Sequence, residues 1–258
     1  MPSSPSGSTI ESRHNAAYKE WCRYVAFPEE ETCPWIAVEG LRQIHTLSSR
    51  FPIELLLFCE TGTWLDNLSA RARRSVRLSP PLLNSLSSLK NPAPVLAFFP
   101  KPRWTWEDLT EWVFYLDRLQ DPGNLGTLLR TAAATGIFTL AMSPGTVSCF
   151  NAKAVRASSA ALFSVPFLEG VEPSDLTDRG YTLWAADSRR GDSLFSVRFK
   201  PPLALLLGNE GAGLEPSRDA AAHRRVHIPM SEATKSLNAA VAGSILAYEV
   251  LRQQAEAG

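Results

Sequence analysis

A single arginine, Arg130, interrupts a small and apolar stretch at residues 127–134, and Asn124 lies shortly before it; both could act on a ligand. Pro122 and Gly123 predict a turn, after which Asn124 can cap a helix that carries Arg130 about two turns later. A cap is the commoner role for a single asparagine. Arg130 has small and apolar neighbours, and a guanidinium that is partly buried among them needs an anionic partner. We therefore expect Arg130 to face such a partner.

Three glycines follow an apolar strand at residues 203–207, namely Gly208, Gly211 and Gly213. Backbone without side chains can approach a ligand closely, and α/β sheets bind ligands at such strand ends. The spacing is GxxGxG, which differs from the GxGxxG of dinucleotide sites, and the Lys-Ser/Thr pair of a phosphate-binding loop is missing. On the glycines alone, a tight structural turn and a ligand-binding loop are equally supported.

A third polar segment follows a short strand at residues 226–229. Ser236 and Asn238 lie where the last helix begins, so their side chains and the free backbone N–H groups should face the same strand-end crevice. As single residues, both are typical helix caps. The hypothesis of a site therefore depends on all three segments meeting.

The elements that must position these segments alternate between strand and helix. Apolar runs predict strands at residues 112–119, 138–142, 181–186, 203–207 and 226–229, and helices that end near 135 or span 152–162 and 237–253. This alternation indicates an α/β domain. In the last helix Leu237, Val241 and Ile245 share one face, which suits a core or a dimer contact equally.

A second, smaller α/β domain is predicted before residue 103. Its elements are helices at 41–47 and 65–72, strands at 53–59 and 94–99, and a helix that begins at Pro80 with Ser79 as its N-cap. Pro100 and Pro102 end the last strand. We therefore expect a disordered N-terminus at residues 1–9, one domain at 10–102 and another at 103–258.

The composition narrows the classes of function. Twenty-six basic residues balance twenty-six acidic ones, so overall charge gives no argument for a nucleic-acid partner. The four cysteines are far apart and have no nearby histidine cluster, so we expect neither a metal site nor a disulfide framework. The chain has no membrane-spanning apolar run and no leader segment, which predicts a soluble, cytoplasmic protein.

Basic residues are nevertheless concentrated between Asp66 and Glu107, where no acidic residue occurs. Four of these are suited to binding nucleic-acid phosphates: Arg71, Arg73, Arg74 and Arg77. A solvated helix face followed by a basic linker explains the same charges equally well. Trp104 and Trp106 could stack on bases, although anchoring of the linker on a core is favoured.

Taken together, the three segments resemble the motifs of the SpoU (TrmH-like) family of RNA 2'-O-ribose methyltransferases, in the SPOUT superfamily, over about residues 112–249. The first motif is matched by Asn124 and Arg130, the second by Gly208, Asn209, Glu210 and Gly213, and the third by Ile228, Pro229, Met230, Ser236, Leu237 and Asn238. A weaker match covers residues 153–166 with Arg156, Ser158 and Phe163. Glu232 and Ala160 depart from the pattern, because the family commonly has glycine at both positions.

The resemblance implies a mostly parallel sheet with a C-terminal trefoil knot, preceded by an RNA substrate-binding domain that resembles the ribosomal protein L30e fold. It implies S-adenosylmethionine as cofactor and a homodimer formed through the knotted domain. The cofactor would be held by Leu207, Gly208, Asn209, Gly213, Ile228, Met230, Ser236, Leu237 and Asn238. The catalytic group would be Asn124, Arg130, Glu210, Ser236 and Asn238, with Arg130 as an orienting charge beside the 2'-oxygen rather than a settled base.

The implied substrate is RNA, and the additional N-terminal domain favours ribosomal over transfer RNA. Three alternatives remain open at this point. They are a transfer-RNA 2'-O-methyltransferase, a non-catalytic RNA-binding or ribosome-assembly protein with the same fold, and an unrelated α/β enzyme that binds a nucleotide phosphate at the Gly208 turn.

Overall fold

A computed structural model describes residues 9–87 and 89–257. The predicted disorder of residues 1–9 therefore lies outside the described residues, except for Thr9. The chain divides into two compact units. The first consists of residues 9–102 with Phe150–Arg156, and the second of Arg103–Cys149 with residues 157–257.

The first unit is a four-stranded mixed sheet with helices. Its elements in chain order are α1 (Ala16–Ala26), β1 (Trp35–Glu39), α2 (Leu41–Ser48), β2 (Leu55–Phe58), α3 (Thr63–Ser69), β3 (Ser75–Arg77), α4 (Pro80–Leu86) and β4 (Val95–Pro100). The strand order is β1-β4-β2-β3, with β4 antiparallel to β1 and β2 and with β3 parallel to β2. Buried side chains such as Trp21, Leu57 and Phe98 form one core.

Sequence reasoning predicts α2, β2, α4 and β4 in this unit and misses α1, β1 and β3. Asn15 caps α1, because its side-chain oxygen accepts the backbone N–H of Tyr18 at 3.1 Å. The predicted helix at 65–72 is wrong at its end, since α3 stops at Ser69 and Ala72 pairs with Ile53 as an isolated bridge. Ser79 holds the N-cap position of α4, but its side chain makes no capping bond.

The second unit is a seven-stranded sheet in which every pairing is parallel. Its strands are β5 (Trp112–Leu116), β6 (Phe138–Met142), β7 (Phe167–Glu169), β8 (Thr182–Asp187), β9 (Asp192–Ser193), β10 (Leu203–Leu207) and β11 (Arg224–His227). Its helices are α5 (Pro122–Thr135), α7 (Pro173–Thr177), α8 (Pro216–Ala220) and α9 (Ala239–Ala257), whereas all but the last residue of α6 (Ala152–Ala157) belongs to the first unit. The α/β class with a parallel sheet is thus confirmed.

The predicted helix at 152–162 is wrong in its middle. Ser159 and Ala160 have φ angles of +50° and +69°, a left-handed conformation that ends a right-handed helix. α6 therefore stops at Ala157, and a short 3₁₀ turn follows at Ala161–Phe163. Ala160 is one of the two positions where the family commonly has glycine, and its φ explains why glycine suits it.

The strand order β7-β6-β5-β10-β8-β11-β9 places a switch point between β5 and β10. From β5 the chain proceeds to β6 on one side, and from β10 it proceeds to β11 on the other. Parallel α/β sheets bind ligands in the crevice outside the carboxyl ends of strands at such a point. No helix in the described part of the chain combines the length and apolar character needed to cross a bilayer.

Candidate active site

A cavity of about 470 Å³ lies at the carboxyl ends of β8, β10 and β11, beside the start of α9. It is lined by all of the predicted cofactor residues except Asn238, namely Leu207, Gly208, Asn209, Gly213, Ile228, Met230, Ser236 and Leu237. Glu210 also lines it. The second and third predicted segments therefore share one cavity.

The turn after β10, residues 208–215, is named here the Gly208 loop. Its backbone closes on itself, because Asn209 and Gly213 exchange N–H···O bonds of 3.0 and 2.9 Å. The Asn209 side-chain oxygen also accepts the N–H groups of Gly211 and Ala212. A Cβ on Gly208 would lie 2.3 Å from the carbonyl carbon of Gly213, so only glycine fits. The Gly208 loop is therefore a tight structural turn that also lines the cavity, so the two interpretations of the glycines do not exclude each other.

Four polar or charged residues at the end of β8, just after it or on α8 line the cavity and were missed by sequence reasoning: Asp187, Ser188, Arg190 and Asp219. Burial raises the pKa of the Asp187 carboxyl, but hydrogen bonds from the backbone N–H groups of Arg189 and Arg190 and from the Arg190 guanidinium outweigh this and lower it overall. Asp187 therefore carries a negative charge beside the cavity. A carboxylate directly at the end of a predicted parallel strand is the signal that could have revealed it.

A hydrogen-bond relay joins all three predicted segments. The Asn124 amide donates to Glu210 Oε1 at 2.8 Å, and its own oxygen accepts the Asn238 amide at 2.9 Å. The Asn238 oxygen in turn accepts the N–H groups of Ala240 and Val241 at the start of α9. The relay fixes the three segments relative to one another.

The predicted cap role of Asn124 is wrong. The N-cap of α5 is Asp121, whose side chain accepts the Gly123 N–H at 2.9 Å. Asn124 lies inside the helix and is buried, with only 8% of its surface exposed. The Asn238 side chain accepts the first N–H groups of α9, so the cap role predicted for it is confirmed. Its contact with Asn124 in the relay was not predicted.

Glu210 is held as an ionised acceptor. Burial raises the pKa of its carboxyl, but hydrogen bonds from the Asn124 side chain and from the backbone N–H groups of Glu210, Asp121 and Gln120 outweigh this and lower it below the ordinary glutamate value. Its oxygens are engaged by these donors. Glu210 therefore acts as a structural acceptor between the first and second segments rather than as a proton acceptor.

The expected burial of Arg130 is wrong. Its helical neighbours Leu128, Leu129, Thr131 and Ala132 are buried, while Arg130 is exposed on the opposite face of α5. Among the described residues Arg130 has no hydrogen-bond or ion-pair partner, and neither Arg130 nor Asn124 lines the cavity. The guanidinium is thus free to meet a group from outside the chain.

In the first unit Arg71, Arg73, Arg74 and Arg77 are all exposed. Three of them lie in the turn after α3 and Arg77 lies on β3, so they are not on a helix face. Arg73 pairs with Glu54 at 3.2 Å, Arg74 lies over the Trp21 ring at 5.8 Å, and an Arg71 nitrogen is 3.4 Å from the Ser48 hydroxyl.

Trp106, in the second unit, packs on a core with Arg179 over its ring, as the anchoring interpretation predicts.

The chemistry of the cavity fits a cationic nucleoside ligand. Leu207, Val226 and Leu246 offer apolar surface for a base, and the backbone of the Gly208 loop offers polar groups. Of the three carboxylates in the lining, Asp187 pairs with Arg190 and Asp219 with Arg225. Glu210 is bonded by neutral donors, so its negative charge favours a positively charged group in the cavity. No metal-binding cluster of histidine, cysteine or acidic residues occurs among the described residues.

Comparison with known proteins gives matches along most of the chain. A family model described as the SpoU rRNA Methylase family matches residues 111–248. The chain is 25% identical over 244 residues to the 23S rRNA (guanosine(2553)-2'-O)-methyltransferase RlmP of Bacillus subtilis, with 93% of this chain and 98% of that protein covered. It is 29% identical over 271 residues to the 23S rRNA (uridine(2479)-2'-O)-methyltransferase of Streptomyces viridochromogenes, with 97% and 94% covered.

Solved structures give the same result for the fold. The chain superposes on the SpoU methyltransferase AviRb from Streptomyces viridochromogenes, solved in complex with the cofactor AdoMet, with a TM-score of 0.82 and 30% sequence identity. That match covers 93% of this chain and 98% of the other. The similarity thus extends over both units and not only over the region of the three motifs.

Proposed function

The chain belongs to the SpoU rRNA methylase family, and from this premise we propose that the cavity at β8, β10 and β11 is its catalytic centre. The protein is an S-adenosylmethionine-dependent methyltransferase that acts on a ribose 2'-hydroxyl of RNA. Ribosomal RNA is the favoured substrate, because the relatives that match nearly the whole chain are named for 23S rRNA. The observation that carries the proposal is the relay through Asn124, Glu210 and Asn238, which joins all three family motifs at this cavity.

The cofactor residues are those that line the cavity. The backbone of Gly208, Ile228, Met230 and Leu237 would hold the adenosine and methionine parts, while the Glu210 carboxylate would favour the positive charge. S-adenosylmethionine supplies a methyl group on a sulfonium, which leaves as a neutral thioether and needs little acid catalysis. The task of the protein is therefore to position the ribose hydroxyl and to promote loss of its proton.

The five predicted catalytic residues take different parts in this task. Asn124, Glu210 and Asn238 hold the three segments in register, and Ser236 offers an exposed hydroxyl at the cavity. Arg130 contacts the RNA beside the reacting oxygen, because its guanidinium stays protonated and has no partner among the described residues. Its role is electrostatic and orienting.

We extend the proposal to a homodimer formed through α9. Val241, Ile245 and Tyr248 recur at intervals of four and three residues and remain 46%, 38% and 53% exposed. Such an apolar stripe on a helix is typical of a protein interface. α9 packs against α5, which carries Arg130, and Thr131 is hydrogen-bonded to Ser244 at 2.7 Å. A second copy on this stripe would bring its cavity close to the Arg130 helix.

Finer aspects of the fold and cell biology belong to the same proposal. We propose a C-terminal trefoil knot and an L30e-like fold for residues 10–102, as the family resemblance implies, while the superposition on AviRb over 93% of the chain supports a shared fold. We assign RNA binding to that first domain, with Arg71, Arg73, Arg74 and Arg77 as phosphate contacts, and catalysis to residues 103–258. Action on ribosomal RNA places the protein in the cytoplasm.

The test compares the wild-type chain with Arg130→Ala in methylation of ribosomal RNA transcripts with labelled cofactor. We expect transfer by the wild-type protein, and in the variant a loss of turnover of about 10²-fold or more with unchanged cofactor affinity. Arg198→Ala, another largely exposed arginine, is the control. Near-normal turnover in Arg130→Ala would remove Arg130 from the mechanism, and no transfer by the wild-type protein to any cellular RNA would favour the non-catalytic alternative.

Mixed dimers test whether Arg130 acts on its own cavity or on that of a second copy. The Arg130→Ala variant lacks the arginine, and the Gly208→Ala variant has a blocked cavity. When the two are co-expressed, an intact site can form only if Arg130 of one copy acts on the cavity of the other copy. Recovery of about a quarter to a half of the activity would indicate action across the dimer. Without recovery, Arg130 acts within one chain.

A further inference from the structure

Asp117, directly after β5, is a buried carboxylate that the site described above does not use. It is 0% exposed. Its Oδ2 accepts the backbone N–H of Glu215 at 2.6 Å, and its Oδ1 accepts the Arg218 guanidinium at 2.9 Å and the Ser143 hydroxyl at 3.2 Å. A charge this deep is tolerated only where donors surround it, so each of these contacts matters to the local structure.

Arg218 connects this carboxylate to a second one. It lies on α8, immediately after the Gly208 loop, and its guanidinium also donates two hydrogen bonds to Glu172, at 3.1 and 2.8 Å. The Arg218 side chain is 12% exposed and that of Glu172 45%. Glu172 is therefore the outer end of the network, and Asp117 is the end that touches the cofactor loop.

The segment that begins at Asp117 holds the Gly208 loop at three points. The Asp117 carboxylate holds the N–H of Glu215 at the end of the loop. The Arg118 carbonyl accepts the Asn209 side-chain amide at 2.9 Å near its beginning. The N–H groups of Gln120 and Asp121 approach the Glu210 carboxylate at 3.5 and 3.3 Å.

Arg118 itself has a left-handed backbone with a φ of +50°. A non-glycine residue in this conformation is strained, and such strain persists where the surrounding contacts fix it. At Arg118 the surrounding contacts are two hydrogen bonds to its carbonyl oxygen. One comes from the Asn209 side chain and the other, at 3.2 Å, from the Gln120 side chain. The short stretch after β5 thus forms a rigid support for the loop.

We propose that Asp117 is a positioning residue for cofactor binding, which acts by holding the Glu215 end of the Gly208 loop against the carboxyl end of β5. This inference rests on the proposed function of the cavity. Gly213 and Leu214 line the cavity next to that end of the loop, whereas Glu210 is fixed independently by Gln120, Asp121 and Asn124. Loss of the Asp117 contact should therefore weaken cofactor binding and leave the transfer step almost intact.

The test compares Asp117→Asn with Glu172→Gln, which disturbs the outer end of the same network. An asparagine cannot accept on both sides, so its amide faces either the Glu215 N–H or the Arg218 guanidinium. We expect Asp117→Asn to raise the Kd for S-adenosylmethionine about tenfold or more, with kcat at saturating cofactor within about threefold of the wild type. Glu172→Gln should leave the Kd for S-adenosylmethionine within about twofold of the wild type, even if its melting temperature falls as much as that of Asp117→Asn.

Glu215→Pro is a second variant for the case that Asp117→Asn does not fold. Glu215 already has φ and ψ of −63° and 139°, which proline adopts, so the exchange removes the N–H that Asp117 accepts together with the Glu215 side chain, which accepts the Ser217 hydroxyl. Glu215→Pro should raise Kd in the same way. Glu215→Ala, which keeps the N–H and lacks the carboxylate, is the matched control and should keep the wild-type Kd. Equal Kd values for Asp117→Asn and Glu172→Gln, or wild-type affinity in Glu215→Pro, would overturn the inference. A wild-type protein that ignores S-adenosylmethionine would instead refute the proposed function, and this inference with it.

Discussion

Replacing Asn124 with aspartate converts the relay into a contact between two carboxylates. In the native chain the Asn124 amide nitrogen lies 2.8 Å from Glu210 Oε1. The variant keeps the size of the side chain but puts an oxygen in place of that donor. At neutral pH two negative charges would then face each other, and their repulsion would raise the pKa of the pair in the folded state.

The magnitude follows from the distance. Two unit charges 2.8 Å apart repel by about 1.5 kcal/mol with the screening of bulk water and by about 6 kcal/mol at an effective dielectric constant near 20. Glu210 is exposed on one side, so the lower part of this range applies. With about 1 kcal/mol for the lost hydrogen bond, we expect Asn124→Asp to lower the free energy of unfolding by about 3 kcal/mol at pH 8.

The pH dependence distinguishes this cause from simple loss of packing. The folded state raises the pKa of the carboxylate pair above the unfolded values of about 4, so the penalty grows as pH rises through the folded pKa and shrinks below it. In the wild type the pKa of Glu210 is lowered, so its contribution is complete above its unfolded pKa and is lost only as pH falls through the folded value. Between pH 5 and pH 8 the native contribution is therefore flat.

The assay is urea unfolding at pH 5 and pH 8, followed by the fluorescence of the buried Trp112 and Trp184. Asn124→Asp should recover about 1 kcal/mol of its deficit at pH 5, relative to the wild type at the same pH. Asn124→Ala is the uncharged control, and its deficit should be the same at both pH values. An equal deficit of the aspartate variant at pH 5 and pH 8 would refute the geometry of the relay.

Three further predictions concern other parts of the molecule. Gly208→Ala should abolish cofactor binding in a titration, because its Cβ would meet the Gly213 backbone at 2.3 Å, whereas Gly211→Ala, whose nearest such contact is 3.7 Å, should bind normally. Ala160→Gly should raise the melting temperature by about 1 to 3 °C in calorimetry, since it relieves a left-handed φ of +69°; a fall in melting temperature would show that the strain is compensated. Neutralising Arg71 and Arg74 together should weaken RNA binding and flatten its dependence on salt by about one to two counterions, while unchanged affinity would exclude this surface.

Two strands of the second unit could be predicted with their bounds because their signal is local, whereas the strands predicted at 112–119 and 226–229 lie at Trp112–Leu116 and Arg224–His227. Residues 138–142 and 203–207 are continuous apolar runs between turn residues, and the structure has both strands with these bounds. The short elements β7, α7, β9 and α8 have two to five residues each and lack such a pattern. Their existence depends on packing against distant parts of the chain.

The candidate site was predictable as a set of segments but not as a set of contacts. Asn124 has the local chemistry of a cap, and its actual partners lie 86 and 114 positions further along the chain. Arg130 has apolar neighbours in sequence, but the helical period turns it away from the buried face. Asp187 and Asp219 reach the cavity because β8 and β11 lie next to each other in the sheet, an order that no local pattern encodes.

The side chains of the cavity also restrict how the rate of the enzyme can respond to acidity. Among the described residues that line it, the ionisable ones are Asp187, Arg190, Glu210 and Asp219, and neither histidine, cysteine, lysine nor tyrosine occurs. Carboxylates and guanidinium groups keep one charge state throughout the physiological range. A rate that rises between pH 6 and pH 9 would therefore reflect the ionisation of the ribose hydroxyl or of a group brought by the RNA. In this enzyme the titrating group would then come from the substrate.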